Sequence, residues 1–168
     1  MSQGNMKIVA TDSFVLSDAE RHEIEHEISH YPDARAASIE ALKIVQKHRG
    51  WVPDGAITPV AAMLGIPPPD LEGVATFYSL IFRHPVGRHV VKVCDSISCH
   101  LTGYEELRDA FVAALGVRLG ETTRDGRFTL LPICCLGACD RGACVMIDDD
   151  LHGPVDPAQV KQLLEPYA

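Results

Sequence analysis

His89-Val90-Val91-Lys92-Val93-Cys94-Asp95-Ser96-Ile97-Ser98-Cys99 reads as a β-strand that runs into a loop bearing two thiols. A second passage repeats the pattern: Phe128-Thr129-Leu130-Leu131-Pro132-Ile133 leads into Cys134-Cys135-Leu136-Gly137-Ala138-Cys139. Residues 100–134 lie between the sulfur loops, enough for a helix and a hairpin that fold them together. Loops at the ends of adjacent strands can meet. Cys94, Cys99, Cys135 and Cys139 are therefore candidates to converge at one sheet edge. Gly137 lets the second loop bend without a Cβ clash. Loop N–H groups can then point at sulfur, stabilise thiolate charge and tune a reduction potential. Four soft sulfur ligands bind zinc or an iron–sulfur cluster.

Outward from these loops, Gly103 to Leu115 carries Leu107, Phe111 and Leu115 at four-residue steps, predicting a helix closed by Gly116. Asp125-Gly126 marks a turn. Ala143 to Ile147 reads as a strand, His152 to Val155 as a short partner strand, and Pro157 to Leu164 as a last helix capped by Asp156. The order β-α-β-β-α is that of a small thioredoxin-like sandwich, assigned to 87–168.

Upstream of His84-Pro85-Val86-Gly87 the pattern is helical. Ser17 and Glu20 form a capping-box signature for a helix from Asp18 to about His30. A second helix is expected from Ala34 to His48, stopped by Gly50. Thr58-Pro59 suggests the start of a third, short helix ending at Leu64. Pro67-Pro68-Pro69 reads as a stiff connector, and Asp70 to Tyr78 as a fourth helix, around a small core at Trp51. The expected fold class is thus α/β: an N-terminal helical bundle over 13–86, then the thioredoxin-like domain, with 1–12 as a flexible tail.

Composition narrows the function. The 168-residue chain is 46% hydrophobic, with a formal net charge of −8 and no Lys/Arg run. Nucleic acid is not an expected partner, because phosphate binding needs clustered cations. No stretch approaches the roughly 18 apolar residues that span a bilayer. Met-Ser-Gln-Gly-Asn-Met lacks a charged region followed by an apolar one, so no secretory signal is expected. Cytosolic cysteines are normally reduced, which favours metal binding over disulfides. No Gly-rich nucleotide fingerprint is present, so dinucleotide binding is not expected of this chain.

Spacing alone leaves the metal open. Structural zinc sites mostly pair cysteines two to four residues apart. Here four and three residues intervene, and a four-residue gap is also a known iron–sulfur spacing. A cluster, a zinc site and unligated cysteines all remain. Cys134 and Cys135 are neighbours whose side chains point apart on extended backbone, so one of them is spare. Cys144 alternates with apolar residues, as a small buried hydrophobe would.

Other signals point away from this chemistry. His22-Glu23-Ile24-Glu25-His26 fits the zinc-protease pattern, but Glu20, Glu25 and Glu27 around it suggest a solvated helix face rather than a cleft. His100 could ligate iron as in Rieske centres, although four cysteines already suffice. Arg83, Arg88 and Lys92 make a mild basic cluster, read as a solvated face. Phe77, Tyr78, Leu80, Ile81 and Phe82 read as core. Asp95, Asp140 and Asp148-Asp149-Asp150 should favour the oxidised state of a nearby cluster.

Longer motifs carry a resemblance. Gly87-Arg88-His89-Val90 into Val93-Cys94-Asp95-Ser96, then Cys99-His100 and Gly103-Tyr104, resemble the thioredoxin-like [2Fe–2S] ferredoxin family. So do Asp125-Gly126-Arg127-Phe128-Thr129-Leu130-Leu131-Pro132 and Cys134-Cys135-Leu136-Gly137 with Cys139-Asp140. Arg35 to Leu42, Gly50-Trp51-Val52-Pro53-Asp54 and Gly73-Val74-Ala75-Thr76-Phe77-Tyr78 extend the likeness to the helical half. Together they are similar to the branch found in proton-pumping NADH-quinone oxidoreductases, the bacterial respiratory complex I. The resemblance implies one [2Fe–2S] cluster on Cys94, Cys99, Cys135 and Cys139. It implies an electron-transfer subunit without catalysis of its own. Its partners would be a subunit carrying FMN and binding NADH, and a larger iron–sulfur subunit, in a peripheral arm on the cytoplasmic side. The equivalent subunit of a soluble NAD-linked hydrogenase or formate dehydrogenase shares these motifs, and a zinc-stabilised scaffold is the non-redox alternative.

Overall fold

The computed structural model describes residues 14–167, so the expected tail over 1–12 lies outside the described residues. The chain parts into two compact units between Pro85 and Val86.

The first unit holds helices α1 (Asp18–Ile28), α2 (Ser38–Arg49), α3 (Asp54–Leu64) and α4 (Pro68–Phe77), with a 3₁₀ turn at Ala34–Ala37 before α2. The capping box forms as its sequence predicts: the Glu20 N–H donates to Ser17 Oγ at 3.2 Å, and the Ser17 N–H donates to Glu20 Oε2 at 2.7 Å. Glu20 is only 1% exposed, and its carboxylate also accepts from the Arg49 guanidinium. Gly50, at φ 80°, ends α2 in the left-handed conformation that glycine adopts without a Cβ penalty.

Several helix ends differ from expectation. Helix α3 starts at Asp54, a turn before Thr58-Pro59. Pro59 costs it one early N–H bond, while Ala56, Ile57, Val60, Ala61 and Leu64 bury one continuous stripe. Pro68 and Pro69 are not a connector: they form the first turn of α4, where a missing N–H is harmless. Trp51 is half-buried and outside the core, which is built on Leu42, Val45, Val60, Leu64 and Leu71. Phe77, Tyr78 and Leu80 are exposed, against the core reading; only Ile81 of that stretch is buried.

The second unit is a four-stranded sheet in the order β2-β1-β3-β4, with β1 (His89–Cys94), β2 (Phe128–Ile133), β3 (Val145–Ile147) and β4 (Asp150–His152). β1 pairs in parallel with β2 and antiparallel with β3, and β3 pairs antiparallel with β4. A short helix α5 (Ile97–Leu101) and the longer α6 (Tyr104–Leu115) carry the chain from β1 to β2. The terminal α7 (Val160–Leu164) lies along α6. Leu107 and Phe111 of α6 meet Val91, Val93, Phe128, Leu130 and Ile147 in a fully buried core. As the interior strand, β1 is buried nearly throughout and reads as an apolar run. Its exception, Lys92, spends its ammonium on the Asp148 carbonyl, and Arg83 bridges Asp54, Glu72 and the Val52 carbonyl. Arg88, the third cation of that sequence cluster, is exposed.

β3 and β4 are both displaced from expectation. Asp148, at φ 53°, tightens the turn, so the partner strand is 150–152 rather than 152–155, and Cys144 precedes β3 instead of lying on it.

Candidate metal centre

Strand direction builds the site. Because β1 and β2 run parallel, with Cys94 beside Ile133, both deliver their following loops to the same sheet edge. Because β3 runs antiparallel to β1, its entry sits at that edge as well. The Cys94 N–H donates to the Cys144 carbonyl at 3.2 Å, and the Asp95 N–H donates to the Ile133 carbonyl at 2.9 Å. Three strand ends thus gather all six cysteines of the chain into two neighbouring loops and one strand entry.

The sulfurs fall into two environments. Cys94, Cys99 and Cys144 are buried, and their Sγ atoms lie within 4.8 Å of one another. Cys99 Sγ and Cys144 Sγ are 3.7 Å apart. Cys135 and Cys139 are exposed, with Sγ atoms 3.9 Å apart. Cys99 sits inside the short α5, just ahead of α6, and Cys139 opens a 3₁₀ turn through Arg141. Gly137, at φ 75°, bends the second loop as its sequence suggests, and its N–H donates to Cys135 Sγ at 3.3 Å.

Local donors set the acidity of these thiols. Burial pushes Cys94 up, but the Ser96 N–H and hydroxyl, the Leu136 N–H and the neighbouring Cys99 outweigh it and bring the thiol down to about 7. Cys139 is raised by the Cys135 sulfur beside it. Cys144 is pushed up to about 12 by burial and then by Cys99 and Cys94. Crowded sulfurs cannot all ionise without a cation among them, which is the behaviour of a ligand set before loading.

The donor set fits a sulfur-bound metal group. With metal–sulfur bonds near 2.3 Å, a tetrahedral centre holds its sulfurs about 3.8 Å apart. The Cys135–Cys139 pair has that separation. Neither of these two sulfurs joins the inner group, whose third member is Cys144 rather than a thiol of the second loop. Cys134 is exposed, as are Cys135 and Cys139.

Gly142 holds the strand entry against α5. A Cβ there would stand 2.5 Å from Thr102 Oγ1 and 3.6 Å from Cys99 Cα. Gly142→Ala should therefore push residues 142–144 off α5. We expect a stability loss of about 1–3 kcal/mol and faster iron loss, read by denaturant midpoint and by iron release to a chelator.

The remaining candidates separate from the site. His100 stands on the Tyr104 ring at 4.4 Å. Asp148 accepts from the Val90 N–H and pairs with the His89 ring, at the far end of β1. Four residues of strand, about 13 Å, divide Val90 from Cys94, so Asp148, Asp149 and Asp150 are not beside the sulfurs. In the protease-like motif, Glu23 accepts from Lys47 Nζ at 3.1 Å and His48 Nε2 at 2.9 Å, which lower its carboxyl below the usual range. His22 and His26 are exposed. Glu25 is exposed as well, whereas Glu20, read from sequence as part of that solvated face, is buried against Arg49.

Fold and thiols together define a small thioredoxin-type domain built to carry a sulfur-ligated metal group. The chain belongs to the thioredoxin-like [2Fe-2S] ferredoxin family, whose profile matches residues 24–168. It is 62% identical over 167 residues to the E subunit of the NADH-quinone oxidoreductase of Pseudomonas aeruginosa, covering 99% of each chain. The corresponding protein of Escherichia coli K12 is 61% identical over 157 residues, covering 94% of this chain and 95% of that one. Among solved structures, the NAD+-reducing [NiFe]-hydrogenase in its H2-reduced state aligns with a TM-score of 0.66 at 23% identity, covering 78% of this chain and 22% of that chain. At that identity the likeness speaks for the fold.

Proposed function

We propose that this chain is the electron-transfer subunit of the NADH-oxidising module of NADH-quinone oxidoreductase, holding one [2Fe–2S] cluster on Cys94, Cys99, Cys135 and Cys139. The observation that carries the reading is the 62% identity over essentially both full lengths to a subunit of that complex, joined to two thiol pairs at one sheet edge. When bound, such a cluster supplies one-electron chemistry. This chain's own contribution is to hold, shield and tune. The Gly137 N–H donates to Cys135, and the N–H groups of Ser96 and Leu136 face Cys94. Hydrogen bonds of this kind stabilise sulfur charge and set a potential. Buried Ala138, Ala143 and Tyr104 belong to the same apolar cluster as Cys94, Cys99 and Cys144.

On this reading residues 13–86 and 87–168 act as two domains. The partners are the FMN- and NADH-binding subunit and the larger iron–sulfur subunit. The chain sits in the peripheral arm on the cytoplasmic side. No helix among the described residues is long and apolar enough to cross a membrane.

The test is metal and sulfide analysis of anaerobically purified chain. We expect iron, acid-labile sulfide and visible charge-transfer bands. A colourless chain with stoichiometric zinc and no sulfide would overturn the proposal. Asp95 and Asp140 remain the acidic side chains next in sequence to the ligands. Redox titration of Asp95→Asn and Asp140→Asn should show an upward shift in potential, because each removes negative charge that opposes reduction.

A further inference from the structure

Cys94, Cys99 and Cys144 form a second arrangement within the sulfur pocket, distinct from the four-cysteine set. We propose that, in the chain without its cluster, these three thiols are a mononuclear site for a soft divalent cation of the zinc class. All three are at most 2% exposed, and all three sulfurs lie within 4.8 Å of one another. The Cys99–Cys144 separation of 3.7 Å matches the edge of about 3.8 Å that one tetrahedral metal–sulfur centre requires. Cys135 and Cys139 do not share this mutual distance with the trio, which is complete without them. Strand pairing fixes the trio: β1 presents Cys94, α5 presents Cys99, and the entry to β3 presents Cys144, tied by the bond from the Cys94 N–H to the Cys144 carbonyl. Three sulfur donors select zinc-class ions over magnesium or calcium, which prefer oxygen. Each ligand releases its proton as the cation binds, so loading is a simple exchange of protons for metal without any redox change.

The site shares Cys94 and Cys99 with the cluster, so the two occupants exclude one another. Zinc bound first therefore blocks cluster assembly, and Cys144 is the residue that makes the blocking site. Cation binding to the trio stands by itself; the blocking consequence rests on the cluster reading proposed above.

The experiment uses the full-length chain, stripped of iron and reduced under argon, titrated with Co2+ as a coloured stand-in for zinc. The wild type should develop thiolate-to-cobalt bands at one ion per chain. Cys144→Ala, which keeps a small apolar side chain, should bind Co2+ at least tenfold more weakly and still assemble the cluster. Cys135→Ser should keep the cobalt site and fail to assemble the cluster. Preloading with one equivalent of zinc should slow cluster reconstitution at least tenfold in wild type and much less in Cys144→Ala. A wild type that binds no Co2+, a Cys144→Ala chain that binds it unchanged, or a Cys135→Ser chain that loses the cobalt site would overturn the proposal. Reconstitution of wild type without zinc tests the cluster reading separately.

Discussion

Cys135→Ser, purified without oxygen, should lose the [2Fe–2S] absorption, while Cys134→Ser should keep it with its iron intact. The same loss or alteration is expected at Cys94, Cys99 and Cys139. The environments grade the outcome. Serine at buried Cys94 or Cys99 places a poor ligand where little solvent can substitute, so iron should fall toward zero. At exposed Cys135 or Cys139 a serine or water oxygen can reach a metal ion, so the cluster absorption goes while a small, chelator-labile fraction of iron lingers. Iron per chain, acid-labile sulfide and the visible spectrum read these outcomes. A Cys134→Ser chain without iron beside a Cys135→Ser chain that retains it would move the ligand by one residue.

The second large effect concerns Glu20 and Arg49. Arg49→Ala should cost about 2–4 kcal/mol of stability at pH 7. It strips the guanidinium from a carboxylate that is 1% exposed, and removes the cation resting 4.2 Å above the Phe14 ring. The Arg49 hydrogen bonds lower Glu20 most; burial works against them, and the Ser17 hydrogen bonds add to them. The net result is about 2, from an ordinary 4.5. The unfolded chain therefore takes up the proton first as pH falls. The stabilisation is complete above about pH 5 and drains away as pH drops from 4.5 toward 2, by at most about 3 kcal/mol. Urea midpoints between pH 7 and pH 3 should fall steeply in wild type and less steeply in Glu20→Gln. Parallel pH slopes in the two chains would refute this account.

Much of this architecture is legible in the chain. The capping box at Ser17 and Glu20, the run His89 to Cys94, the four-residue steps of Leu107, Phe111 and Leu115, and the Asp-Gly turn each follow from local chemistry. Local chemistry says less where pairing decides. Cys144 looks like an ordinary buried residue because nothing nearby tells that β3 joins β1 rather than β2; only that antiparallel pairing brings its sulfur to Cys99. Helix α5 is a single short turn, below what periodicity can register. Asp148 to Asp150 are near the second sulfur loop along the sequence, yet the sheet carries them to its other end. The exposed Phe77 and Tyr78 follow the same lesson: an apolar run says what prefers burial, not which members the helix geometry turns inward.

The split between sheltered and open sulfur also governs how the molecule ages. An alkylating reagent or dissolved oxygen meets Cys134, Cys135 and Cys139 at the rim, whereas Cys94, Cys99 and Cys144 wait behind the sheet edge. Chemical wear therefore begins on one side and proceeds inward. Mass-spectrometric footprinting of the apo chain would record that sequence of injury as a clock.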